Sequence, residues 1–223
     1  MPIHLQREIN FLNRLILQLG GQVEENLRKA LSVVHQQVNP DPGEFLQRDR
    51  EVNRLEIRVE ETCLKILAMH QPVASDLRYI VSMMKINNDL ERVGDLAEHI
   101  ARRGGKLKPL ALPEMIDAMA VHIREMLRES LDAMVQLDLE RCRAILKRDR
   151  EVDALNQEVH RWFLTEANDG ARGGIETLMQ VLLTAKDLER IGDHTCNIAE
   201  DVIYLVSGEI VRHMETDERP ELS

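Results

Sequence analysis

Residues Asp89 to Asp95 read DLERVGD, and residues Asp187 to Asp193 read DLERIGD. The two heptapeptides differ only by an exchange of Val for Ile, and they start 98 residues apart in a chain of 223 residues. Repetition at a fixed spacing is the first feature to look for in a sequence, because it decides the architecture of the whole chain. The heptapeptides therefore raise the question of how much of the chain is duplicated.

The repeat extends far beyond the heptapeptides. RDREVN at 48–53 returns as RDREVD at 148–153, an offset of 100. One apolar series also recurs at this offset: Leu12, Ile16, Leu19, Val23, Leu27, Leu31 and Val34 correspond to Leu112, Ile116, Met119, Ile123, Leu127, Leu131 and Met134. Steps of three and four residues are the period of an amphipathic helix. The sequence predicts one unit of three long helices present twice, and the later offset of 98 predicts two residues missing from the loop before the last helix.

Proline and glycine mark the predicted helix ends, since both residues interrupt helices and favour turns. Asn39 to Gly43 should separate helices one and two, and Pro72 should lie in the first turn of helix three. Asp169 to Gly174 should precede the last helix, and the Gly20-Gly21 pair could kink the first. With no strand pattern, we predict an all-α protein of two tandem antiparallel three-helix bundles. The first covers residues 1–104, a linker covers 105–112, and the second bundle covers 113–223.

Composition narrows the function classes. Hydrophobic residues make up 43% and aromatic residues only 3%, which is typical of helical proteins. A net charge of −10 disfavours a nucleic-acid partner and an acidic membrane surface. The three cysteines form no C-x-x-C pair, and the N-terminus lacks the pattern of a signal peptide. We expect a soluble cytoplasmic protein that binds no nucleic acid and does not insert into membranes.

Each heptapeptide places Glu and Asp four residues apart, so the two carboxylates project side by side from one helix. Helix two of each half also carries polar residues beside its core stripe. The candidate metal ligands are Asp49, Asn53, Glu91 and Asp95 in the first half and Asp149, Asp153, Glu189 and Asp193 in the second. Oxygen ligation favours Fe³⁺, Mn²⁺ or Mg²⁺, with Zn²⁺ as an alternative. The first set is the weaker one, because the amide oxygen of Asn53 carries no charge.

A solvated helix face with local arginine partners is the competing interpretation of these acids. The neighbouring arginines are Arg50, Arg92, Arg150 and Arg190. Because clustered carboxylates repel one another, a bound cation explains the clusters better. No histidine follows an acidic residue at Glu-x-x-His spacing, no phosphate-binding glycine loop is present, and no nucleophile signature stands out. We therefore expect a protein that is not an enzyme.

With these residues assembled, the chain resembles the PhoU family of phosphate-uptake regulators over nearly its full length. The resemblance is carried by QPVASDLR at 71–78, by the two heptapeptides, and by ERIGDHTCNIAED at 189–201. The second half lacks a QPVASDLR element. The resemblance implies that Asp49/Asn53 with Glu91/Asp95, and Asp149/Asp153 with Glu189/Asp193, hold metal clusters.

The resemblance also implies a cytoplasmic negative regulator of phosphate uptake and of phosphate-starvation signalling. Its expected partners are the ATPase subunit of a phosphate ABC transporter and a phosphate sensor histidine kinase, and a homodimer is expected. Two alternatives stay open. One is a helical metal-storage or metal-sensing protein that acts independently of phosphate. The other is a phosphate-binding sensor, although acidic faces repel phosphate unless a bound cation reverses the local charge.

Overall fold

A computed structural model describes residues 3–35, 41–107, 112–170 and 174–211, and it forms six helices. Their bounds are α1 Ile3–Val34, α2 Pro42–His70, α3 Ala74–Gly104, α4 Glu114–Gln136, α5 Leu139–Asn168 and α6 Ile175–Ser207. No strand occurs within the described ranges. The all-α prediction is therefore confirmed, with three helices on each side of the linker.

Two three-helix bundles pack against each other. α1, α2 and α3 contact one another, as do α4, α5 and α6, and the halves meet where α3 packs on α6 and α1 on α4. Equivalent helices thus meet equivalent helices, as expected when two copies of a unit associate about a twofold axis. Polar contacts from Lys85 to Asp201 and from Arg103 to Asp187 run in opposite chain directions, so α3 and α6 are antiparallel.

The repeated apolar series forms the core of each bundle. Most of its members are fully buried, among them Leu12, Ile16, Leu19, Val23 and Leu27 in α1 and Ile116, Met119, Ile123 and Leu127 in α4. The side chains of α1 and α4 therefore fill equivalent positions in the two bundles. No described helix is long and apolar enough to cross a membrane.

The ends of α2 and α3 differ from the prediction. Pro42 and Gly43 belong to the first turn of α2, where the Asp41 carboxylate accepts a hydrogen bond from the Gly43 N–H. Pro72 lies before α3, which begins at Ala74, and not in its first turn as predicted. The reason is local. Gln71, the residue after α2, adopts a left-handed backbone conformation with φ 45°, and its N–H donates a hydrogen bond to Leu67 O. A residue that precedes proline is disfavoured in the right-handed helical region.

The predicted shortening of the second loop was wrong. Six residues, 169–174, connect α5 to α6, whereas three residues, 71–73, connect α2 to α3. The helix ends beside the later connection are set back instead: by the repeat offsets, α5 ends two residues earlier than α2 and α6 begins three residues later than α3. Gly170 and Gly174 adopt φ values of 95° and 90°, which only glycine enters readily, so this connection depends on them.

The Gly20-Gly21 pair does not break α1, which is continuous from Ile3 to Val34. A Cβ on Gly20 would lie 2.6 Å from Leu131 Cδ2 in α4, whereas a Cβ on Gly21 would meet nothing within 4 Å. A third glycine, Gly104 at the end of α3, would place a Cβ 2.9 Å from the backbone nitrogen of Val34. Gly20 and Gly104 therefore allow close helix packing.

We expect Gly104→Ala to lower the free energy of unfolding by about 1–3 kcal/mol, because backbone atoms of α1 cannot move aside as a side chain could. Gly21→Ala is the matched control, since its added methyl group meets open space. It should stabilise the protein by about 0.5–1 kcal/mol through higher helix propensity. Urea unfolding followed by circular dichroism measures both values, and equal effects of the two substitutions would contradict the packing role of Gly104.

Candidate metal centres

The repeated heptapeptide gives each of its positions a different contact. Its Leu and its Val or Ile are buried in the bundle core at Leu90, Val93, Leu188 and Ile191. Its first residue, Asp89 or Asp187, is also buried and reaches across to the other half. Glu91, Asp95, Glu189 and Asp193 lie at the bundle surface with intermediate or high exposure. One short motif thus builds a core, an interface and an acidic surface.

The heptapeptide glycine sets the distance to the neighbouring helix. A Cβ on Gly94 would lie 3.2 Å from Val52 Cγ1 of α2, and one on Gly192 would lie 2.9 Å from Asp149 Oδ1 of α5. α2 therefore packs closely on α3, and α5 on α6, at the point where the acidic pairs stand. The candidate residues of the two helices are brought together in each half.

The acidic cluster of the second half consists of Asp149, Asp153, Glu189 and Asp193. Burial raises the pKa of Asp149 to about 6, and the negative charges of Asp153 and Asp193 add to this effect. Burial also raises the pKa of Asp153 and that of Asp193, with repulsion from Glu189 as the next cause in both. The four carboxylates therefore interact electrostatically as one group.

The acidic cluster of the first half is less charged. Burial raises the pKa of Asp49, and the charges of Asp95 and Glu98 add to it. Burial followed by repulsion from Asp95 likewise raises the pKa of Glu91. Asn53 donates its Nδ2 hydrogen to Asp49 Oδ2 over 3.2 Å, and this hydrogen bond stabilises the charged form of the Asp49 carboxylate.

Two residues that were not among the predicted ligands belong to these clusters. They are Glu98 beside Asp49 and Cys196 beside Asp149. The offset of 98 makes them equivalent positions, and this alignment is the sequence signal that could have identified them. Burial raises the pKa of the Cys196 thiol, which stays protonated and hydrogen-bonded to Asp149. In the metal-free protein this thiol is thus a hydrogen-bond donor to the Asp149 carboxylate.

Basic side chains neutralise part of each cluster. Arg92 lies 3.4 Å from Glu91 and 3.5 Å from Asp95, and Lys186 Nζ lies 2.7 Å from Glu189 Oε2. In the parts of the chain that the structure covers, no three His, Cys, Asp or Glu side chains are already arranged to hold a metal ion. Glu189 would have to leave Lys186 to bind one. The donor set itself suits a hard cation, because carboxylate oxygens are the ligands such cations prefer and carboxylates with raised pKa values favour a neutralising partner.

The sequence profile of the PhoU domain matches residues 16–104 and 116–202, which are the two helical units. The chain belongs to the PhoU family. The phosphate-specific transport system accessory protein PhoU of Serratia marcescens is 33% identical over 215 residues, covering 94% of this chain and 87% of that protein. The PhoU homolog of Pseudomonas putida is 35% identical over 215 residues, covering 93% of this chain and 82% of that protein.

Two solved PhoU structures have the same fold. The crystal structure of PhoU from Pseudomonas aeruginosa superposes with a TM-score of 0.85 at 32% identity, covering 92% of this chain and 99% of that chain. The phosphate transport system regulatory protein PhoU from Streptococcus pneumoniae gives a TM-score of 0.86 at 28% identity, covering 93% of this chain and 99% of that chain. The PhoU fold therefore extends over both bundles.

We expect Asp149→Asn to stabilise the metal-free protein at pH 7.5. The pKa of Asp149 is raised to about 6 in the folded state, above the value near 3.9 of an unfolded chain. The folded state therefore binds this proton more tightly, and the resulting stabilisation is lost as the pH rises from about 4 to about 6. Asparagine removes the buried charge, so the advantage of the variant should vanish below about pH 4.

Urea unfolding in EDTA between pH 3.5 and 7.5 measures this difference. Glu158→Gln is the control, because it removes the same charge from an exposed carboxylate that lies 3.8 Å from Arg161. The control should not gain stability at pH 7.5. If the free energy of unfolding of the Asp149 variant and of the unmodified protein varied identically with pH, the pKa of Asp149 would not be raised in the folded state.

Proposed function

We propose that this protein is an accessory regulator of phosphate-specific transport. The observation that carries the proposal is the agreement with PhoU proteins over both bundles, at 33% identity to a phosphate-specific transport accessory protein. Sequence similarity across both bundles favours a role for the whole chain, since the alignment with that relative spans 94% of this chain.

The finer proposal is a non-enzymatic, cytoplasmic negative regulator that acts as a homodimer. It would contact the ATPase subunit of a phosphate ABC transporter and the cytoplasmic part of a phosphate sensor histidine kinase. The relatives' role as transport accessory proteins supports the first partner. The net charge of −10 supports docking through polar, acidic helix surfaces to basic partner surfaces.

Deletion of the gene tests this function. In cells grown with abundant phosphate, loss of a negative regulator should raise both phosphate uptake and the expression of phosphate-starvation genes. Radiolabelled phosphate uptake and reporter fusions measure the two outputs, and complementation with the intact chain should restore both. Unchanged uptake would remove the transport role, and unchanged reporter expression would remove the coupling to the kinase.

We also propose that both acidic clusters bind metal ions. The cluster of Asp149, Asp153, Glu189 and Asp193 is expected to be the tighter site, since it has four carboxylates and since burial raises the pKa of three of them. The first-half cluster has Asn53 in place of one carboxylate. Carboxylate oxygens favour Fe³⁺, Mn²⁺ or Mg²⁺, with Zn²⁺ as an alternative.

The double substitution Glu189→Gln with Asp193→Asn should abolish metal binding in the second half. A ligand that binds only the folded state adds RT ln(1 + [L]/Kd), about 2.7 kcal/mol at a hundredfold excess over Kd. The double variant should lose this stabilisation and keep its helical content. Elemental analysis and thermal melting with and without added Mn²⁺ measure both properties.

Glu91→Gln with Asp95→Asn is the matched control in the first half. It should lower the metal-dependent stabilisation less, because Asn53 already weakens that site. If the second-half variant binds as much metal as the unmodified protein and shows the same thermal shift, the carboxylates form a solvated face.

A metal-sensing or metal-storage role independent of phosphate is the second candidate function. It is favoured by the presence of two separate clusters with raised pKa values in one small chain. Transcript measurements separate the two candidates. A deletion strain that responds abnormally to metal excess but normally to phosphate would favour the second function over the first.

A further inference from the structure

A small basic pocket lies where the end of α3 meets the first half of α6. It is lined by His99, Arg102, Arg103, Lys106 and Gln180, and its volume is about 270 Å³. Four of these five residues carry a basic side chain, in a chain whose net charge is −10. This concentration of basic side chains stands out in an acidic chain, and none of the five lining residues is a proposed metal ligand.

The carboxylates that contact this pocket neutralise only part of its charge. Asp187 Oδ2 lies 2.9 Å from both Nε and Nη2 of Arg103, so these two side chains form an ion pair. Glu98 Oε2 accepts a hydrogen bond from Arg102 over 2.7 Å. Lys106 is exposed and has no described ion-pair partner among the residues of known placement. Three permanent positive charges thus face two carboxylates, and His99 and Gln180 add further donors.

Stabilisation of the helix end does not account for these side chains. Basic residues in a last turn commonly interact with free carbonyl groups of that turn. Here backbone N–H groups already occupy several of those carbonyls: Gly105 donates to Ala101 O, Lys106 to Arg103 O and Leu107 to Gly104 O. The Lys106 side chain is therefore available to a ligand, as are the guanidinium N–H groups of Arg102 that Glu98 does not occupy.

We propose that this pocket binds a small tetrahedral oxyanion, with free inorganic phosphate as the ligand to be tested. Arginine forks match the oxygen geometry of phosphate, and a lysine adds a mobile positive charge. The volume of about 270 Å³ has room for one such ion. The site contains none of the proposed metal ligands and does not require a metal ion, although Glu98 lies beside both Asp49 and Arg102.

Isothermal titration of the full-length protein with inorganic phosphate tests the proposal. The protein is first treated with EDTA, so that phosphate cannot bind through a metal ion in an acidic cluster. Ionic strength is held constant with chloride, since unspecific charge effects depend on salt. We expect saturable binding that Arg102→Ala with Lys106→Ala weakens by roughly tenfold or more, because both charged donors are removed.

Arg54→Ala with Lys147→Ala is the matched control. Both residues are exposed and lie outside the pocket lining, so this variant loses the same charge and should keep its affinity for phosphate. Glu98→Gln should act in the opposite direction. It removes the carboxylate that holds Arg102, so phosphate should bind several-fold more tightly, roughly in line with the weakening of a charged contact.

Circular dichroism should give the same helical content for all variants. Absence of saturable binding to the unmodified protein, or equal affinities for the pocket variant and the control variant, would overturn the proposal. A parallel titration with AMP distinguishes the source of the phosphoryl group, and tighter binding of AMP than of phosphate would overturn the assignment to a free ion.

Discussion

The close approach of α2 to α3 and of α5 to α6 is the constraint on which the rest of the structure depends. Gly94 and Gly192 permit it, since an added Cβ would lie only 3.2 Å from Val52 Cγ1 or 2.9 Å from Asp149 Oδ1. The same approach that fills the core forces carboxylates of facing helices together and raises the pKa of Asp149 to about 6. Packing and charge are therefore opposed at these positions. A protein that only needed a stable bundle would gain from amides or apolar residues there, so stability alone does not account for these acids.

The two halves share this constraint but differ in charge. Asn53 stands where the second half has Asp153, and Glu98 stands where the second half has Cys196. The interface residues differ as well: Asp89 accepts hydrogen bonds from His194 and Asn197, whereas Asp187 is held by Arg103. The two copies thus share the packing glycines and most of the acidic positions, while Asn53, Glu98 and the interface contacts differ from their counterparts. The two acidic clusters are consequently expected to have different affinities.

The architecture could be predicted from the sequence because the helical spacing of apolar residues is a local pattern. In α1 the repeated series begins with Leu12, and it recurs 100 residues later. The helix ends could not, since the position of Pro72 depends on the left-handed conformation of Gln71. The acidic pairs were predictable because each is four residues apart on one helix. Their neighbours were harder to assign, because burial and cross-helix contacts decide whether Cys196 is a ligand or a hydrogen-bond donor. The basic pocket was not foreseen, since it combines residues 99–106 with Gln180 of the other half.

Glu98 connects two regions of opposite charge. It raises the pKa of Asp49 in the first acidic cluster and accepts a hydrogen bond from Arg102 at the basic pocket. A cation that attracts Glu98 toward Asp49 would leave Arg102 with more of its positive charge available to an anion. Linkage makes such an effect reciprocal, so an anion on Arg102 would favour the cation by the same free energy. The second half has no such connection, because Cys196 is neutral and replaces Glu98. If the two proposed sites bind their ions, a cation and an oxyanion should therefore influence each other through Glu98 in the first bundle.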